Sequence, residues 1–199
     1  RMTGAILPFQ TLYHRRQSLP TPLPLQCYVD DAKELSWVAD IQIKRSTALD
    51  KSHLRGLILK HNPGMMPHAM TCNHTIILAN GMTREEERFV AIKELMHCYF
   101  GPDGGGVFAT NTEINFENHM NEFFGDSAAI ESHQVKAEKE ALWMAMSVLA
   151  PEQLRREYRQ QVLDGKPIAE VATDLRIPIR TAAAFLSPQY EREISSILE

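Results

Sequence analysis

Between Arg84 and Phe100 apolar residues recur at helical intervals, with Phe89, Ile92, Met96 and Tyr99 on one stripe. This predicts a helix, and its ends carry their own signals. Thr83 and Glu86 have the S/T-x-x-E spacing of a capping box, acidic residues fill the first turn, and Gly101-Pro102 is a stop. Upstream, Leu54-Arg55-Gly56-Leu57-Ile58-Leu59 and Thr75-Ile76-Ile77-Leu78-Ala79 read as strands, with Pro63-Gly64 between them and Asn80-Gly81 closing the second. A further helix is expected from Asp30, with Leu35, Val38 and Ala39 at core spacing and Asp30 or Asp31 as N-cap. Residues 2–24 contain Leu19-Pro20-Thr21-Pro22-Leu23-Pro24. Prolines block helix and remove ladder donors, so an extended Pro-rich arm is expected there.

Residues 126–150 read as a second long helix ended by Pro151, in which Ala141 and Ala145 leave a smooth face for close helix packing. Shorter helical units follow at 151–163, 167–175 and 179–186, with a tail to 199. Within them, Ala172 and Leu175 would pack one helix, Ile177-Pro178 make a turn, and Ala183 with Leu186 seat the next, the rhythm of a helix-turn-helix. The organisation is α+β: an arm at 2–24, a domain with a small sheet at 25–150, and a helical appendage at 151–199.

Composition narrows the function classes. Over 199 residues, 44% are hydrophobic, which excludes a disordered chain. The apolar stretch 141–150 is about half of the ~20 residues a bilayer-crossing helix needs, so no membrane span is expected. No secretory leader pattern opens the chain. A net charge of -4 argues against binding nucleic acid by blanket phosphate neutralisation. The three cysteines (Cys27, Cys72, Cys98) are odd in number and lack CxxC spacing, the usage of a reducing compartment. A cytoplasmic protein is the expectation.

The residues with chemical promise lie on the capped helix: Lys93-Glu94-Leu95-Met96-His97. In an H-E-x-x-H segment, positions i and i+4 share a helix face, so two imidazoles meet one zinc and the Glu serves as general base. Here the second His and the Glu are present and the first His is lysine. The Gly101-Pro102-Asp103-Gly104-Gly105-Gly106 run that follows has a helix before it, not a strand, so it is not read as a phosphate cradle.

The order strand, turn, capped helix with E-x-x-H, loop, second helix resembles the ImmA/IrrE family of zinc-peptidase-like proteins. The resemblance extends to Glu138-Lys139-Glu140-Ala141-Leu142-Trp143-Met144-Ala145-Met146-Ser147-Val148-Leu149-Ala150-Pro151, similar to the family's E-x-x-A-x-x-F-A-x-x-L-L-x-P segment. Met144 stands where the family usually has an aromatic residue and Leu142 where it often has Asn. What the resemblance implies is a zincin-like domain, with His97 and Glu138 as zinc ligands, Glu94 as general base, and a transcriptional repressor or regulator as partner. The first ligand position falls on Lys93.

That departure bears on mechanism. A lysine binds metal only after losing a proton from a reference pKa of ~10.4. Charged, it leaves His97 and Glu138 as a weak two-ligand site, and its ammonium can pair with Glu94 or Glu138 in place of the metal. Zinc is the cofactor the resemblance implies, and the lysine weighs against it. His68, His74, His119 and His133 are uncommitted candidates for a third ligand, Cys72-Asn73-His74 has a C-x-H look, and Cys98 points about 100° off the ligand face. The main reading is a degenerate pseudo-peptidase that binds a protein. Beside it stand an active zinc endopeptidase using Glu94, His97, Glu138 and another ligand, and a DNA-binding regulator working through the C-terminal helices. For the last, residues 151–199 hold seven Arg/Lys against eight Asp/Glu, and Arg180 is the one basic residue on the would-be recognition helix.

Overall fold

The computed structural model describes residues 6–36, 38–60, 74–100 and 133–199. The chain is α+β. One mixed sheet joins β1 (Ile41–Ser46), β2 (Gly56–Lys60) and β3 (His74–Ala79) in the order β1-β3-β2, with β1 parallel and β2 antiparallel to β3. The β-branched run Thr75-Ile76-Ile77 suits the central strand, and Ile76 is flanked in register by Ile43 and Ile58. β1 is a strand that the apolar pattern did not mark. It lies at an edge, with Gln42, Lys44 and Arg45 exposed, so only half of it needs apolar residues.

The chain's beginning corrects the expectation of an extended arm. Residues Ile6–Arg16 form α1, and Phe9 and Leu12 on it are buried in the core. Pro8 sits in the first turn, where backbone N–H groups have no intrahelical acceptor to lose, and Pro20, Pro22 and Pro24 come after the helix has ended. The next helix, α2 (Leu25–Leu35), starts directly behind Pro24, so Asp30 and Asp31 lie inside it and neither is its N-cap. Asp31 instead faces α1. It pairs with the buried Arg16 and, at 2.6 Å, with Arg15, while the Arg16 guanidinium lies 4.4 Å from the Tyr28 ring centroid.

Helix α3 (Arg84–Met96) has the expected capping box, Glu86 N donating to Thr83 Oγ1 and Thr83 N to a Glu86 carboxylate oxygen. It ends at Met96 and tightens into a 3-10 turn over His97–Phe100; the Gly101-Pro102 stop and the glycine run to 106 lie outside the described residues. The second long helix is described as α4 (His133–Ser147), and the expected residues 126–132 lie outside. α3 packs on the sheet through β2 and β3 and on α2 and α4 through its other sides, so it is buried almost all round. Ala141 and Ala145 on α4 are fully buried.

Four further helices follow: α5 (Glu152–Leu163), α6 (Ile168–Leu175), α7 (Ile179–Phe185) and α8 (Pro188–Leu198). Each opens at or just behind a proline. Their core is continuous with that of α4, where the Trp143 ring meets Tyr190 edge-on at 6.4 Å and Tyr190 meets Phe185 at 5.3 Å. In the α6–α7 pair, Val171, Ala172 and Leu175 seat the first helix, and Arg176 takes the left-handed conformation (φ 54°) at its end. In the second helix Leu186 is buried as expected, but Ala183 is exposed, and Thr181, Ala182, Ala184 and Phe185 fill the buried face instead. Among the described residues no helix is long and apolar enough to cross a membrane.

Gly56 sets how closely β2 and α3 approach. A Cβ there would overlap Val90 Cγ1 and stand 3.5 Å from Glu94 Cγ. Gly56→Ala is therefore expected to destabilise the protein by about 1–3 kcal/mol through overpacking. Adding Val90→Ala should return part of that loss, and a double-mutant cycle by denaturant unfolding measures the coupling.

Candidate functional site

Helical spacing places Lys93 on α3 and His97, in the 3-10 turn that continues it, one turn apart, with Glu94 beside them, and α4 brings Glu138 across to the same place. Lys93 Nζ donates to Glu94 Oε1 at 3.0 Å and is hydrogen-bonded to Glu138 Oε2. The other Glu138 oxygen, Oε1, lies 3.1 Å from His97 Nε2. One carboxylate thus touches both α3 residues. Glu94 and His97 are buried, and the side chains of Lys93 and Glu138 retain 14% and 21% exposure.

The electrostatics follow from that arrangement. Burial alone would lower the Lys93 pKa, but the facing Glu138 and Glu94 carboxylates outweigh it and hold the ammonium well above its ordinary value. Burial would likewise raise Glu138, and Lys93 and His97 reverse this, keeping its carboxyl well below the usual range. Lys93 is the ammonium and Glu138 the carboxylate at neutral pH. Glu94 Oε2 is buried and has no hydrogen-bond partner among the described residues. The His97 ring lies against Phe100, centroids 5.5 Å apart.

A zinc centre needs three protein donors and an open fourth position. Lys93 Nζ instead stands among the oxygens that would face a metal, and a protonated amine has no lone pair to give. Among the described residues no three His, Cys, Asp or Glu side chains are grouped to hold a metal ion. As arranged, these side chains do not fit zinc. Of the other histidines, His74 begins β3 and is buried, and His133 begins α4; His68 and His119 lie outside the described residues, as does Cys72. Cys98, next to His97, is buried in the core.

Arg180 is exposed on α7, where Ile179 and Ala183 are exposed as well. A seven-residue helix presenting one arginine among apolar side chains has little with which to read base edges.

One residue with reach over the site helix has no sequence signature. Arg88 of α3 donates to Leu175 O at 3.3 Å and to Leu23 O at 3.0 Å, so it ties α3 to the end of α6 and to the segment before α2. Only its position one turn before the cluster is visible in the sequence; its acceptors are backbone carbonyls, which carry no residue preference.

Compared with protein-family models, curated proteins and solved structures, the chain finds no match.

Proposed function

We propose that this chain is a zincin-like protein of the ImmA/IrrE type whose pocket binds a protein without hydrolysing it, acting in the cytoplasm with a transcriptional regulator. One observation carries the reading: the Lys93 ammonium is seated between Glu94 and Glu138, with His97 on the far side of the same Glu138 carboxylate. A metallopeptidase lowers the pKa of a metal-bound water to ~7. An ammonium supplies charge to the carboxylates but no Lewis acid to a water, so the pocket keeps its shape and loses the hydrolytic step. The regulator as partner rests on the family resemblance, and the slight acidic excess of residues 151–199 favours protein over DNA as what the C-terminal helices meet.

A second reading, an active zinc endopeptidase, draws on Glu94 Oε2, since a general base needs an unengaged oxygen to accept a proton. Metal analysis separates the two. Wild-type protein incubated with zinc and then dialysed should hold less than about 0.1 zinc per chain, as expected for a two-ligand site, and should not cleave a peptide library with zinc added. Near-stoichiometric zinc, or zinc-dependent cleavage, overturns the proposal in favour of the peptidase.

A further inference from the structure

We infer that Arg84, Arg88 and Arg176 form a docking site for a short acidic segment of a partner protein, on a different side of α3 from Lys93. This site is independent of how the Lys93 pocket is read.

Arg84 and Arg88 are four residues apart on α3 and share a face. Arg88 comes five residues before Lys93, which puts it about 140° around the helix from that residue. It is half-buried, and backbone oxygens fix its guanidinium: Leu23 O at 3.0 Å, Leu175 O at 3.3 Å and Arg176 O at 3.4 Å. The last of these bonds brings Arg176, at the end of α6, beside Arg88. Burial pushes the Arg88 guanidinium below its ordinary value and Tyr28 opposes this, while the charge of Arg176 adds to the fall.

No acid matches these charges. Among the described residues, Arg84, Arg88 and Arg176 have no carboxylate at ion-pair distance. Glu86 and Glu87, near them on α3, are engaged by Arg55 and Arg45, and Asp174 is engaged by Lys166. Glu85, three residues before Arg88, is exposed and makes no ion pair with it. The last carbonyls of α6 supply about half an elementary negative charge. Three guanidiniums stand against it, two of them exposed, and like charges one turn apart on a helix repel. A ligand carrying carboxylates relieves that repulsion and meets in Arg88 a planar donor already held in place.

The extent of the patch selects the partner. Nucleic acid needs a long positive track. Here the chain has a net charge of -4, and residues 151–199 hold seven Arg/Lys against eight Asp/Glu, so a long polyanion is repelled outside the patch. A short acidic segment neutralises the three arginines without lying along the rest of the surface.

The test is fluorescence anisotropy on the full chain with labelled hexaglutamate, using hexaglutamine as the uncharged control and a short random DNA duplex as the competing polyanion. Wild type should bind hexaglutamate and not hexaglutamine, and the affinity should fall at least about ten-fold when about 0.3 M salt is added, because exposed charges are screened. Arg84→Gln/Arg176→Gln removes two exposed charges and leaves the Arg88 bonds in place; it should weaken binding at least about ten-fold without lowering the melting temperature. Each single variant should account for part of that loss, which keeps the test usable if the double variant folds poorly. Lys44→Gln/Arg192→Gln takes the same charge from β1 and α8 and should change the affinity less than about two-fold. Absence of hexaglutamate binding at low salt overturns the inference. So do equal losses in the two double variants, which would mean net charge and not a site, and so does tighter binding of the duplex, which would make the partner a nucleic acid. The proposed function turns on zinc content instead, so the two can fail separately.

Discussion

Lys93→Met should lower stability by about 3 kcal/mol, because it strands two carboxylates in a pocket largely closed to water. For a chain of this length that corresponds to a fall in melting temperature on the order of 6–12 °C, read by calorimetry. The figure sits at the low end for a buried pair because Glu138 keeps 21% of its side chain exposed and can recruit water. The signature distinguishing charge from packing is pH. The Glu138 carboxyl, held below its usual range against the raising effect of burial, contributes stability that is present above its unfolded pKa and lost as pH falls through the folded one. The Lys93 ammonium, held above its usual range although burial lowers it, contributes stability below its unfolded pKa, lost as pH rises through the folded one. The gap between wild type and Lys93→Met should therefore be widest between about pH 5 and pH 10 and shrink progressively below about pH 4, as pH falls from the ordinary carboxylate range toward the depressed pKa of folded Glu138. A gap that keeps its full size as pH falls well below about 4 would mean that Lys93 matters for its methylene stem and not for its charge.

Asp31→Ala is expected to do comparable damage between α1 and α2, about 3–5 kcal/mol, by leaving the guanidinium of Arg16 buried without its carboxylate. Arg16 is 2% exposed, and what remains to it is the Tyr28 ring face and the Cys27 carbonyl at 3.3 Å. Since Asp31 also holds Arg15, the loss loosens α1 from α2. Hydrogen exchange across α1 should then rise far more than across α3. Replacing both partners, as in Arg16→Met/Asp31→Leu, should return most of the stability, because a matched apolar pair in a buried position leaves no charge to desolvate. If the double variant is as unstable as the single one, packing shape rather than stranded charge is what Asp31 supplies.

Local signals made much of this chain legible. The Thr83–Glu86 box, the prolines at 151, 167 and 178, and the helical period through Phe89 and Ile92 each act within a turn or two of backbone. They were enough to place α3 and the first three C-terminal helices, and to put Lys93 and His97 on one face, while the stretch that forms α8 read only as a tail. Other features resisted. The prolines of residues 2–24 suggested an extended arm because the rule that proline opposes helix does not say where in a turn it falls, and Pro8 falls where it does no harm. β1 was passed over because it is short, with four polar residues of six, and its alternation Ile41-Gln42-Ile43-Lys44 breaks off at Arg45-Ser46.

The sequence by itself determined most of the helices after β3, where they begin, and that Lys93, Glu94 and His97 lie together within one turn. Tertiary structure alone decided that α1 joins the core through Arg16 and Asp31, that Gly56 lets β2 come up under Val90, and that Glu138 reaches across from α4 to meet both Lys93 and His97. The physical reason is range. A cap or a helical face is settled between neighbours three or four residues apart, whereas an ion pair between helices depends on where packing sets two axes.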